Sequence, residues 1–144
     1  MTPIYKKFLF KKEYAKELLK IAEGDLDSAM ELSKAKSGRR ENIIFLAQQS
    51  VEKSTKAVLV HLQIAFPLVH DLGILVALLP DERMPPEGFA LSELNPFASV
   101  RLYEEGQLPL TQEEVKAVLD VSQRIVVWAK SLIFSEGPNK PSRG

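Results

Sequence analysis

Residues 42–63 read NIIFLAQQSVEKSTKAVLVHLQ. Ile44, Ala47, Val51, Val58 and Leu62 recur at helical spacing and form one apolar stripe, so the stretch predicts an amphipathic helix. Gln49, Glu52, Lys53 and Lys56 follow their own three- and four-residue spacing, which stacks them along one face of that helix. An outer helix face needs only mixed polar residues. Here an amide, a carboxylate and two ammonium groups stand together, a set that can hydrogen-bond and can hold an anion. His70-Asp71-Leu72 closes the segment a few residues later.

On the amino-terminal side, Leu18, Leu19, Ala22, Leu26, Ala29 and Leu32 predict a first helix over about residues 12–36. Gly24 interrupts it at a cost of about 1 kcal/mol relative to alanine, which predicts a close backbone approach or a bend. Ser37-Gly38-Arg39-Arg40 is a break, with glycine suited to a helix C-cap. The central helix is expected over about residues 42–63, closed off by Phe66-Pro67, because the residue before proline avoids helical backbone. His70-Asp71 opens a short third helix with Leu72, Leu75, Val76 and Leu79 as its stripe and Pro80 after its end. Asp71 is placed to cap its free N–H groups.

Residues 81–88, with Pro85-Pro86, read as a loop, and a fourth helical piece is expected over about 87–97, cut by Pro96. Residues 100–109 read as irregular. The last helix starts at Thr111, where Thr-Gln-Glu-Glu has the pattern of a capping box. It continues through Val115, Val118, Leu119, Ser122, Ile125, Val126 and Ala129 to about Phe134. No segment alternates as a strand does. The expected fold is all-α, an up-and-down bundle of about four to five helices. Residues 1–136 form a single helical domain in this reading, and 137–144 a disordered C-terminal tail.

Composition narrows the function classes. Basic and acidic residues number 19 each, so the formal charge is +0 and the bulk field of a non-specific nucleic-acid binder is missing. The chain has no cysteine, which excludes disulfides, thiolate metal sites and cysteine nucleophiles. Its two histidines, His61 and His70, are too far apart to share one helical turn, so no metal or other cofactor is expected. No apolar run is long enough to span a bilayer, and the amino terminus lacks the apolar core and cleavage site of a leader. A cytoplasmic location without membrane association is the expectation. Neither a Gly-x-Ser-x-Gly turn nor a glycine-rich phosphate loop occurs, so any nucleotide must be held by side chains on helices.

Four pieces in order resemble the HEPN domain, a small helical bundle. They are Ala22-x-x-Asp25-Leu26-x-x-Ala29, the block from Ala47 to Ala57, His70-Asp71-Leu72, and Arg101-Leu102-Tyr103, where the family often carries an Arg-Tyr pair. The resemblance spans about residues 14–134. It implies a compact domain that often forms a homodimer, with a nucleotide-binding role reflected in the family's name. Many members work with a minimal nucleotidyltransferase as a toxin–antitoxin-like two-component system. Others are metal-independent ribonucleases marked by an Arg followed four to six residues later by His.

This chain departs from that ribonuclease mark. None of Arg39, Arg40, Arg83, Arg101 and Arg124 has a histidine at the required distance, and the nearest imitation is Lys56-x4-His61. Lysine lacks the planar fork with which arginine grips a phosphate. The resemblance therefore implies a non-catalytic domain that binds a nucleotide, RNA or a nucleotidyltransferase-fold partner. A ribonuclease with a diverged site, using Lys56, His61 or His70, is the alternative.

Each candidate residue also has a plain structural reading. The Gln49, Glu52, Lys53 and Lys56 row fits a solvated face whose Glu–Lys pairs contribute about 0.2–1 kcal/mol each. In the functional reading the lysines bind phosphate, Gln49 reads a base or ribose, and Glu52 orients a lysine. His70 can act as acid, base or phosphate donor, and Asp71 beside it can simply cap a helix. Arg101 and Tyr103 sit in an irregular segment, where binding residues concentrate. His61 is expected part-buried at a helix end, Trp128 in the core or a dimer interface, and Arg39-Arg40 solvated.

Overall fold

The computed structural model describes residues 6–36, 38–86, 88, 91, 94 and 110–135. Helix α1 spans Tyr14–Lys34, α2 Arg40–His61, α3 Leu72–Val76 and α4 Gln112–Ser135. The chain is an all-α bundle. Among the described residues, buried apolar side chains form one cluster drawn from these four helices and from Phe66, Leu79, Leu91, Leu94 and Leu110. The fourth helical piece expected over 87–97, and the tail after 136, lie outside the described residues apart from single positions.

Side-chain contacts fix the helix directions. Arg40, opening α2, donates to the carbonyl of Leu110 just before α4. Ser122 of α4 reaches the Ala47 carbonyl of α2 at 3.5 Å. Lys130 near the end of α4 pairs with Glu23 of α1 at 3.2 Å, and Lys16 at the start of α1 lies over the Phe134 ring at 5.2 Å. So α2 and α4 run parallel, both opposite to α1, as an up-and-down order requires. The Arg40 contact also shows that this arginine is more than a solvated charge.

Three local features differ from the sequence-based expectation or add to it. Residues Lys7–Phe8 pair antiparallel with Phe66–Pro67, Lys7 opposite Pro67 and Phe8 opposite Phe66. Two residues per strand are too few to show an alternation. Phe10 stacks on Phe66 at 5.3 Å between ring centroids and packs on Tyr14 at 5.4 Å, tying this ribbon to α1.

Second, α2 ends at His61, close to the expected Gln63, and a left-handed residue makes the stop. Gln63 adopts φ 59°, Gln63 N–H donates to the Val60 carbonyl at 3.0 Å, and Ile64 N–H donates to the Leu59 carbonyl at 2.9 Å. These two bonds make a Schellman motif with glutamine in the left-handed position that glycine usually takes. The Gln63 amide donates to the Phe10 and Val60 carbonyls, at 3.1 and 2.8 Å, which holds the residue there.

Third, a Cβ at Gly24 would meet nothing within 4 Å, so no backbone packs against it.

Two expected caps are present. Asp71 Oδ1 accepts from the N–H groups of Gly73 at 2.9 Å and Ile74 at 3.3 Å. At α4 the capping box is reciprocal: Thr111 N–H donates to Glu114 Oε1 at 2.8 Å, and Glu114 N–H donates to Thr111 Oγ1 at 3.1 Å. Thr111→Ala should cost about 1 kcal/mol, and Gly24→Ala should gain about 0.5–1 kcal/mol in this open helical position. Thermal melts should move in opposite directions, each by roughly 2–4 °C per kcal/mol. Equal midpoints for the two variants would contradict both assignments.

Candidate functional site

Helix α2 is buried on more than one side. Gln48, Ser50, Glu52, Ser54, Thr55 and His61 are buried along with its apolar residues. A single apolar stripe with an outer polar face is therefore the wrong description. The helix sits between α1 and α4, and its polar residues need partners inside the fold. Ser50 Oγ donates to the Ala22 carbonyl of α1 at 2.8 Å, and Thr55 Oγ1 to the Val51 carbonyl at 2.9 Å. Ser54 Oγ is a buried hydroxyl without a partner.

Glu52 is the centre of the polar cluster. Its side chain is 2% exposed. Oε2 accepts from Lys56 Nζ at 2.8 Å and from His70 Nδ1 at 2.9 Å, while Oε1 lies 3.2 Å from the same Nδ1. The Gln48 amide approaches Oε1 at 3.5 Å, and Gln49 Nε2 donates to Gln48 Oε1 at 3.2 Å. A carboxylate only accepts hydrogen bonds, so the proton of the short bond sits on His70 Nδ1. That leaves Nε2 on a side chain that is 82% exposed. The i,i+4 spacing that suggested a Glu52–Lys56 pair is realised, in a buried setting rather than on a solvated face.

Lys53 belongs to a second pair. Its Nζ meets Asp25 Oδ2 of α1 at 2.6 Å, both side chains being about three-quarters buried. No acidic residue stands three or four places from Lys53 along α2. That gap is the one signal in the sequence that its partner must come from another element. Asp25 and Gln48 are the residues that sequence reasoning placed in motifs without giving them a role.

The fold thus brings Glu52, Lys56 and His70 together, links Gln49 to them through Gln48, and sends Lys53 to Asp25 of α1. Asp71 lies next to His70 in the chain, with Oδ1 given to the α3 backbone. Arg101 and Tyr103 lie outside the described residues. His61 is buried at the last position of α2, as expected. Trp128 is partly buried against the core. Two positive and two negative charges, on Lys53, Lys56, Asp25 and Glu52, close on one another. Among the described residues no three His, Asp or Glu side chains converge to hold a metal ion, and no helix is long and apolar enough to cross a membrane.

An all-α domain with an ion-paired polar cluster on its central helix is the class that fold and site define. The family model described as HEPN domain matches residues 15–132, most of the chain, and the chain belongs to that family of helical nucleotide-binding and ribonuclease-type domains. No curated protein and no solved structure matches it.

The two ion pairs predict a stability ranking. Glu52→Ala leaves Lys56 Nζ without its carboxylate at a side chain only 14% exposed. The loss should be roughly 3 kcal/mol, at the low end for a broken buried pair because lysine can reach toward solvent. His70→Ala removes a largely exposed partner and should cost less than about 1 kcal/mol. Urea denaturation gives both values; equal costs would show that Glu52 is not the anchor.

Proposed function

We propose that this chain is a non-catalytic HEPN domain that dimerises and pairs with a nucleotidyltransferase-fold protein in a cytoplasmic, toxin–antitoxin-like two-component system. Its Gln49, Lys53, Lys56 and His70 surface, organised around the buried Glu52, contacts a nucleotide or that partner, with Asp71, Arg101 and Tyr103 as further candidate contacts. The observation that carries the non-catalytic reading is the closed set of charges. Both lysines and His70 already serve carboxylates, at 2.6, 2.8 and 2.9 Å. A phosphoester-cleaving site needs cations left over for the charge that develops in the transition state. The absence of an Arg-x4–6-His spacing supports the same view.

One observation favours the second reading, a diverged metal-independent ribonuclease. A carboxylate on Nδ1 orients an imidazole and leaves Nε2 outward, which is the arrangement of a general base. His70 would carry that chemistry, with Lys56 beside it. The buried His61 is poorly placed to meet a substrate.

Tagged protein purified from its own cells should bring down a nucleotidyltransferase-fold protein in stoichiometric amount. Recovery with only itself would contradict the two-component reading. RNA incubated with the protein in EDTA should stay intact. Cleavage that disappears in His70→Ala would replace the non-catalytic reading with the ribonuclease.

A further inference from the structure

The polar row of α2 has an aromatic member that neither ion pair uses. At about 100° and about 1.5 Å per residue, Phe45 projects between Glu52 and Lys56. It lies about 6 Å along the axis from Gln49 and about 12 Å from Lys53. Phe45 is 41% exposed. Phe8, Phe10, Tyr14, Phe66 and Phe134 are engaged by a ring or an ammonium group, whereas Phe45 has no such partner among the described residues.

A single exposed phenylalanine is ordinary on a protein surface. Its register is what carries meaning here. One turn further along the same face, the half-buried Gln49 donates to Gln48 Oε1 and accepts nothing with its own Oε1 among the described residues. An aromatic face beside an amide with a donor and an acceptor is the pair of groups that recognises a nucleobase. The ring takes the base by stacking, and the amide reads its edge. The lysines further along are already neutralised by Asp25 and Glu52. A phosphate arriving there gains less than it would at free cations.

We infer that Phe45 and Gln49 form a nucleobase subsite on α2. The base stacks on the Phe45 ring, its edge meets the Gln49 amide, and any phosphate extends toward Lys53 and Lys56. The subsite rests on the nucleotide-binding part of the proposed function and specifies that the base, more than the phosphate, is gripped. One platform suits a mononucleotide. Tracking a strand takes successive aromatics and a basic groove, and this chain has a formal charge of +0.

The test uses the full chain and etheno-AMP, whose fluorescence reports stacking, with AMP, adenosine, pyrophosphate and a short oligoadenylate as competitors. Phe45→Leu keeps an apolar side chain and removes the π face; Phe45→Tyr restores it. Far-ultraviolet circular dichroism checks that each variant is folded. The subsite predicts that adenosine competes nearly as well as AMP and that pyrophosphate competes poorly. It also predicts that Phe45→Leu weakens binding by about tenfold or more, and that Phe45→Tyr recovers it.

Equal binding by wild type and Phe45→Leu, or pyrophosphate competing as well as AMP, would overturn the subsite while leaving nucleotide binding in place. An oligoadenylate far tighter than AMP would overturn the mononucleotide assignment. A wild-type protein that binds neither etheno-AMP nor pyrophosphate would remove the nucleotide reading itself.

Discussion

A carboxylate that solvent does not reach needs donors within hydrogen-bond range, and Glu52 finds them on Lys56 and His70. The desolvation of such a charge costs several kcal/mol, and an ion pair alone seldom does more than offset it. The arrangement instead constrains geometry. Lys56 lies one turn away on the same helix, so its contact is local. His70 comes from the segment that follows α2, and its bond to Glu52 fixes how the chain turns into α3. Asp71, capping α3 immediately afterwards, continues that turn. Burial of Glu52 therefore couples the central helix to the short one and sets the direction of the exposed His70 ring.

Burial also changes what the polar row can do. On a solvated face two lysines would offer free positive charge. Inside the bundle each is committed to a carboxylate, Lys56 within α2 and Lys53 across to Asp25 of α1. The neutral chain as a whole repeats this balance locally. Recognition by such a face depends on hydrogen-bonding edges and apolar surface more than on net charge, unlike the electrostatic binding of basic proteins to nucleic acids. Membership of the HEPN family places the chain among helical nucleotide-binding and ribonuclease-type domains. The pairing of charges is what favours the non-catalytic version proposed above.

Sequence periodicity was enough for the four described helices, because apolar spacing and caps are local signals. The Thr111–Glu114 box can be seen as four letters and appears as two hydrogen bonds. What periodicity missed is what depends on the third dimension. Helix α2 looks amphipathic in sequence because Ser50, Glu52, Ser54 and Thr55 are polar, yet neighbouring elements cover it on several sides. The Lys53–Asp25 pair joins residues 28 positions apart, beyond any helical spacing rule. The end of α2 near Gln63 was legible from Phe66-Pro67, but the left-handed backbone that makes it was not, because glutamine is a poor signal for that conformation; side-chain bonds to Phe10 and Val60 hold it there. Glu52, Lys56 and His70 stood among the candidates in the sequence and meet in the fold; their depth was not legible.

The most direct test of the Glu52 anchor is the protonation pattern of the His70 ring. A nitrogen–proton correlation spectrum, taken at a pH where the ring is neutral and assigned with His70→Asn, distinguishes its two tautomers. The geometry predicts the proton on Nδ1, facing Glu52, with Nε2 bare, and a change toward the Nε2–H form when Glu52 is replaced by alanine. A wild-type His70 carrying its proton on Nε2, unaffected by that substitution, would contradict the account.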